Sequence, residues 1–473
     1  MASVFSGPLA LTDLDDFIAP SQECIKPVPA PRLPPGKKTG IIKIDDDGSY
    51  SALNDLGESY KLEKVSITLD DCLACSGCIT SAESVLITQQ SQHEVFKVLA
   101  ENQAHTDERK YMVASISPQV RASLAVKYGT SIEEVAAKLT SYFHSIGFDL
   151  VLDTTVSREL SLLQSCKDFM ERKERFDKGD KSALPMLTGI CPGWVCYAEK
   201  SHGEHIIPHI SKVKSSQQMM GSIVKDFLAK RRNLPPSQIY HVAVMPCYDK
   251  KLEASRPDFR SEFDTRDVDC VITAGEVIEM IERRGQHLME YESCDLDRLF
   301  EDLPTEIYSH SGGGSGGYLE HVFVHAAQAL YGVDSPPLNY TVKRNKDLQE
   351  LTLNIEGEKK LKFALAYGFR NIQNIVPKVK QKRCPYDFVE VMACPSGCLN
   401  GGGQLSAAAD ENSKELLSKV TDLYNSVASR DPKESRYVER LNLEWLEGNS
   451  THPQLLTQYH VLEKIDNPLT IKW

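Results

Sequence analysis

The stretch Asp71-Cys72-Leu73-Ala74-Cys75-Ser76-Gly77-Cys78 constrains this chain more than any other. Cysteines at C-x2-C-x2-C spacing turn three sulfurs toward one centre, and thiolates are soft ligands suited to iron–sulfur clusters or zinc. The run offers three sulfurs, so a fourth comes from elsewhere. Cys24 is the only cysteine upstream and the natural candidate; otherwise it is a lone thiol on a loose tail. Four more cysteines recur far downstream, in Cys191-Pro192-Gly193-Trp194, Met245-Pro246-Cys247 and Cys394-Pro395-Ser396-Gly397-Cys398. The pattern is that of a chain built around two sulfur-ligated metal sites.

A length of 473 residues predicts two or three domains. The formal charge of -12 argues against an electrostatic nucleic-acid binder, and no apolar run reaches the length of a membrane span. Residues 1–20 carry Asp13, Asp15 and Asp16 but no Lys or Arg, which is wrong for a signal or transit peptide and predicts a cytosolic protein. Thirteen cysteines in a reducing compartment read as metal ligands and buried thiols rather than disulfides.

Residues 1–40 read as an extended arm, because Pro27, Pro29, Pro31, Pro34 and Pro35 block helix there. Residues 41–110 read as a small domain, with strands at 41–44 and 61–69, a turn at Asp47-Gly48, and then the cysteine triplet. From Tyr111 the pattern becomes α/β. Strands are predicted at 111–117, 148–154, 186–190, 239–245, 268–273, 361–367 and 388–393. The clearest helix is 131–147, with a Ser131/Glu134 capping box and Gly147 at its end. Such alternation implies mostly parallel sheets, whose ligands sit beyond the carboxyl ends of strands. Cys191, Cys247 and Cys394 each follow a predicted strand, so their sulfurs can meet in one cleft. Residues 405–473 read as helical, polar and peripheral, with an apolar stripe of Leu416, Leu417, Val420, Leu423 and Tyr424. The final Trp473 is either incidental or a compact docking element.

The ordered set C-P-G-W, M-P-C-Y-D-K-K-L-E and E-V-M-A-C-P-S-G-C-L-N-G-G-G-Q resembles the catalytic domain of iron-only hydrogenases over about residues 111 to 404. The whole chain, with Cys24, the triplet and the terminal Trp, resembles their eukaryotic relatives, the hydrogenase-like iron–sulfur assembly proteins. The resemblance implies two α/β lobes with mostly parallel sheets around a cluster cleft, at 111–250 and 251–404. These are flanked by a small N-terminal iron–sulfur domain and a C-terminal helical tail. It also implies two [4Fe–4S] clusters, one on Cys24, Cys72, Cys75 and Cys78, the other on Cys191, Cys247, Cys394 and Cys398. Lys250 and Glu253 match residues of the second hydrogenase motif, and alternatively form a structural ion pair under the cluster.

One position departs from the hydrogenase pattern. Hydrogenases carry a proton-relaying cysteine immediately before the first cluster cysteine, where this chain has Ile190. Isoleucine carries no proton, so general acid–base turnover loses its carrier. The resemblance then implies a cluster-carrying factor without hydrogenase activity, helping to insert clusters into cytosolic and nuclear apoproteins. Its implied partners are an upstream P-loop NTPase scaffold and a targeting complex with a WD-repeat propeller, docked through Trp473. A catalytic hydrogenase and a zinc-stabilised interaction module are the alternatives.

Other features read as structural. Gly312–Gly317 contains a literal G-x-G-x-x-G, but no strand leads into it, and close packing beside the second cluster explains it better. Gly401, Gly402 and Gly403 fit the same explanation. Lys181-Ser182 lacks the glycines of a phosphate loop. His202, His205 and His209 are interrupted by Pro208 and read as solvated or core histidines. Cys166, Cys196, Cys270, Cys294 and Cys384 have no ligand spacing.

Overall fold

The computed structural model describes residues 86–260, 265–407, 411–449 and 452–461, together with three short strands upstream. Cys24, Cys72, Cys75, Cys78, Trp473, the turn at Asp47-Gly48 and the predicted strand beyond Lys61 lie outside the described residues. The upstream strands β1 (Ile42–Ile44), β2 (Tyr50–Leu53) and β3 (Ser59–Lys61) form an antiparallel meander in a compact unit of residues 20–80.

The other unit contains everything from residue 81 onward. Its first sheet has the order β5-β4-β7-β8, from β4 (Tyr111–Ile116), β5 (Leu150–Asp153), β7 (Ile239–Met245) and β8 (Cys270–Thr273). All three pairings are parallel. Parallel strands need crossover helices on both faces, which is why these strands are continuous apolar runs. The second sheet has the order β6-β12-β11-β10-β9. Its strands are β6 (Met186–Leu187), β9 (Thr341–Val342), β10 (Leu348–Ile355), β11 (Glu358–Tyr367) and β12 (Phe388–Met392). β6, β12 and β11 run parallel, whereas β10 and β9 are antiparallel additions. The sheets interleave along the chain: β6 belongs to the second sheet and β8 to the first.

All seven predicted strands form, β6 only as two residues. The pair β9–β10 was not predicted, because L-Q-E-L-T-L-N-I puts polar residues among its apolar ones. The helix Ile132–Ile146 forms as expected, ended by Gly147 at φ +111°. Its capping box is only half made. Ser131 Oγ accepts from Glu134 N–H at 3.1 Å, but the Glu134 carboxylate turns to the Thr130 hydroxyl instead of reaching back. The helix Ser413–Ser426 corrects the expectation of a peripheral C-terminal region. Leu416, Val420 and Tyr424 are buried in the core beneath the first sheet, with Leu99, Val120 and Phe143. Tyr424 Oη also accepts a 2.7 Å hydrogen bond from the buried Arg158.

A buried polar knot ties the C-terminal helices to this core. Glu159, fully buried on the helix Thr155–Asp177, accepts from Ser435 Oγ at 2.6 Å and lies 3.5 Å from His310 Nε2. Burial pushes its carboxyl up from 4.5 to about 7, against the hydrogen bond from Ser435 that favours ionisation. Its stability contribution is therefore fully present below pH 4.5 and is lost as pH rises through 7. Glu159→Gln is expected to melt above the natural protein at pH 8.5 and close to it at pH 5.5. A melting difference independent of pH would rule this out.

Candidate metal centre

The sheets present their strand ends to each other through loops. In the first sheet the paired registers bring Ile116 level with Asp153 and Val244, and Met245 level with Thr273. Pro246 and Cys247 follow directly. In the second sheet Leu187 pairs with Val389 and Tyr367 with Met392, so Ile190-Cys191 and Ala393-Cys394 leave their strands at one level. The Ala393 N–H donates to Cys191 Sγ at 3.3 Å. Hydrogen bonds then join the two sets of loops: the Gly403 N–H donates to the Pro246 carbonyl at 2.9 Å, and the Lys250 side chain through Nζ to the Ile190 carbonyl at 3.1 Å.

Local chemistry explains each motif. Cys191 is the N-cap of the helix Pro192–Ile206, with Pro192 in the first turn, where a missing N–H costs nothing. A Cβ on Gly193 would meet Asp249 Oδ2 at 2.9 Å and Ala393 Cβ at 3.1 Å, so this turn packs directly on both neighbouring loops. Trp194 is fully buried and donates Nε1–H to the Thr188 carbonyl at 3.1 Å, anchoring the loop that carries Cys191. The Lys250–Glu253 pair forms at 2.9 Å on the short helix Asp249–Ser255. Burial pulls Lys250 down, but Glu253 and the nearby Cys247 outweigh it, and the ammonium is held charged. Glu253 is fixed in turn by Ser215 Oγ at 3.0 Å and Gln217 Nε2 at 2.8 Å.

Cys191, Cys247, Cys394 and Cys398 are brought together. Cys247 feels the other three electrostatically, and Cys394 feels Cys191 and Cys398. Burial pushes Cys191 up to about 12 and raises the other three. Each of the four residues is partly exposed, beside the buried Trp194, Met392 and Leu399. Among the described residues no group of three or more His, Cys, Asp or Glu gathers as a single-ion site. Four sulfurs that do not close on one ion suit a polynuclear core better than one tetrahedral zinc with sulfurs about 2.3 Å away. Their chemistry fits as well. Four thiolates favour a cationic core there, since Lys250 brings one positive charge to Cys247 and Cys398 while Asp249 adds negative charge. Backbone N–H groups of Ala393 and Trp194 point at Cys191, and that of Gly402 at Cys394, as sulfur-ligated clusters require.

The remaining predicted features fall outside this set. His202 bonds Tyr197 Oη at 3.0 Å, His209 bonds the Pro185 carbonyl at 2.9 Å, and His205 is exposed. Cys166 and Cys270 are buried, Cys196 and Cys384 partly so, and Cys294 is exposed. Gly314 packs on Leu399, beside Cys398, as the close-packing explanation requires. Sequence reading missed Ser315, Tyr367 and Tyr459. Ser315 Oγ accepts from the Cys398 N–H at 3.1 Å, and Tyr459 Oη donates to the Gly189 carbonyl at 3.2 Å. Ser315 had the surrounding glycines as its signal; Tyr459 had none, because only the returning chain brings it to the Cys191 loop.

The docking of Gly401 is the most demanding contact here. A Cβ there would lie 2.3 Å from the Pro246 carbonyl oxygen, so a side chain must push the Cys247 loop away from Cys398. Gly401→Ala is expected to lose iron from this centre. Gly275→Ala, where a Cβ meets nothing within 4 Å, should retain it. Equal iron in the two purified variants would contradict this reading of the loop contact.

Residues 110–402 match the family described as iron only hydrogenase large subunit, C-terminal domain. The chain is 56% identical to the cytosolic Fe-S cluster assembly factor narfl of Xenopus tropicalis and 54% identical to cytosolic iron-sulfur assembly component 3 of Rattus norvegicus, each over the whole of both chains. Among solved structures it is similar to a variant of [FeFe]-hydrogenase HydA1 from Chlamydomonas reinhardtii. That match has a TM-score of 0.67 and 26% identity, covering 78% of this chain and 98% of that one. The fold, the ordered cysteine motifs and the full-length relatives agree: this chain belongs to the iron-only hydrogenase family.

Proposed function

We propose that this chain is an iron–sulfur protein of the cytosolic assembly machinery, holding two [4Fe–4S] clusters and helping to insert clusters into apoproteins without hydrogen chemistry. The observation that carries the reading is the gathering of Cys191, Cys247, Cys394 and Cys398 at the strand ends of both sheets, with Ile190 beside them. Ile190, directly before Cys191, shares one apolar cluster with Leu162, Phe323 and Met392, which supports the reading of a position without a proton carrier. The relatives carry assembly-factor names over their full length, which favours cytosolic assembly over catalysis. A nuclear pool would follow from nuclear clients.

In this reading the distal cysteines bind a resident cluster, which supplies one-electron redox chemistry when bound. Lys250 balances the thiolate charge from below, and Glu253 holds the ammonium in place. Trp194, Ile190 and Tyr459 keep water from the Cys191 loop. Cys72, Cys75 and Cys78, with Cys24 from the proline-rich arm, hold the N-terminal cluster. Three ligands close together in one C-x2-C-x2-C run and one far upstream make Cys24 the ligand whose release opens a coordination position for transfer. A P-loop NTPase scaffold supplies clusters. A targeting complex with a WD-repeat propeller receives the chain through Trp473 and leads it to client proteins.

Anaerobically purified protein is expected to contain about eight iron and about eight acid-labile sulfide per chain, with two cubane-type paramagnetic resonance signals after reduction. Zinc in place of iron would return the centre to a structural module. Iron well above sulfide would indicate a diiron subsite at Cys398 and favour the hydrogenase alternative. Cys24→Ala should lose the N-terminal signal and client delivery while keeping the distal one; unchanged delivery would remove the gating role. Deleting Trp473 is expected to abolish co-purification with the targeting complex while both clusters stay, and undiminished binding would make the residue incidental.

A further inference from the structure

The last described residues run past the loop that carries Cys191, and they do so in two parts. Residues 452–457 are rooted. The Lys214 N–H donates to the Leu455 carbonyl at 3.0 Å, the Thr457 N–H donates to the Lys212 carbonyl at 2.8 Å, and Leu455 and Thr457 are buried. Residues 458–461 are held more thinly: Gln458, His460 and Val461 are exposed and Tyr459 is half-buried. A short segment that buries so little apolar surface can open locally at far less cost than global unfolding. Its root stays paired, so opening needs only backbone rotation after Thr457.

Thin as it is, this segment has a fitted seat. Tyr459 Oη donates to the Gly189 carbonyl at 3.2 Å, two residues before Cys191, and a Cβ on Gly189 would lie 2.1 Å from that hydroxyl. Val461 lies on Gly203 of the helix Pro192–Ile206, where a Cβ would come within 2.7 Å of Val461 Cγ1 and 3.1 Å of Val461 Cα. Glycine weakens a helix relative to alanine, so the bare position at Gly203 is explained by the residue it admits. Between these two contacts the His460 N–H donates to Glu199 Oε1 at 2.9 Å, and His460 Nε2 lies 2.7 Å from Asp258 Oδ1. Arg256 donates to both Glu199 oxygens, at 2.8 and 2.7 Å, and reaches the Gln458 carbonyl at 3.4 Å.

The seat is made by two ligand-bearing segments. Gly189, Glu199 and Gly203 belong to the loop and helix that carry Cys191, whereas Arg256 and Asp258 follow the helix Asp249–Ser255, which begins just after Cys247. We propose that residues 458–461 form a latch on the distal centre. Seated, they hold the Cys191 loop to the segment behind Cys247 and cover it. Unseated, they give small molecules a path to the Cys191 edge while the rest of the fold stays closed. The inference rests on the proposed ligation of a cluster by Cys191, Cys247, Cys394 and Cys398. Opening changes access alone, and no bond to iron or sulfur forms or breaks in it.

The test uses two readouts on the cluster-loaded chain. Amide hydrogen exchange over residues 188–203 reports the seat, and decay of the distal paramagnetic signal in an iron chelator reports access to the centre. A chain ending at Val461 keeps the latch and a chain ending at Thr457 lacks it; neither has the tail, so their difference belongs to residues 458–461 alone. The longer chain is expected to match the natural protein in both readouts, and the shorter to be about tenfold faster in both. Gly203→Ala in the full chain should behave like the shorter chain, because alanine favours the helix and can loosen this region only by displacing Val461. It serves if the shorter chain does not fold. Equal rates in the two shortened chains, natural rates in Gly203→Ala, or faster exchange with unchanged decay would each overturn the latch while leaving the ligation intact. Absence of a distal signal in the natural protein overturns both.

Discussion

The meeting of Gly401 and Gly403 with the carbonyl of Pro246 is the contact on which the centre depends. It is backbone against backbone, with the Gly403 N–H on the oxygen at 2.9 Å and no room for a Cβ at Gly401. Pro246 ends a strand of one sheet, and the glycines follow the cysteines at the end of the other. The docking therefore sets the separation between Cys247 and the Cys394–Cys398 turn. Side chains would have made that separation soft, whereas backbone contact leaves little freedom.

Around this contact burial makes four thiols resist ionisation, so a cationic core would be needed to take their protons' place. Lys250 offsets part of the resulting charge and is itself held by Glu253, Ser215 and Gln217. Glu390, in the middle of β12, is stabilised by hydrogen bonds from Tyr367 and the Leu319 N–H.

The Lys250–Glu253 pair and the close-packed glycines lie beside the gathered cysteines, and Ile190, directly before Cys191, shares one apolar cluster with Leu162, Phe323 and Met392.

The sequence by itself determined most of the elements. Cysteine motifs singled out the loops after three strands, apolar runs marked the strands of parallel sheets, and Ser131 and Gly147 marked both ends of one helix, since all these signals are local. The tertiary structure alone decided what depends on distant partners. The strands β9 and β10 escaped notice because their outward positions are polar and β11 supplies the pairing. Glu134 looked like the second half of a capping box until the Thr130 hydroxyl competed for it. The C-terminal helix read as peripheral because its stripe is narrow, yet Leu416, Val420 and Tyr424 complete the core of the first sheet. Tyr459 on the Gly189 carbonyl and Tyr367 on Glu390 have no signature in the chain. A side chain's role in such a contact is fixed by which remote atoms folding sets within about 3 Å of it, and linear order does not encode that distance.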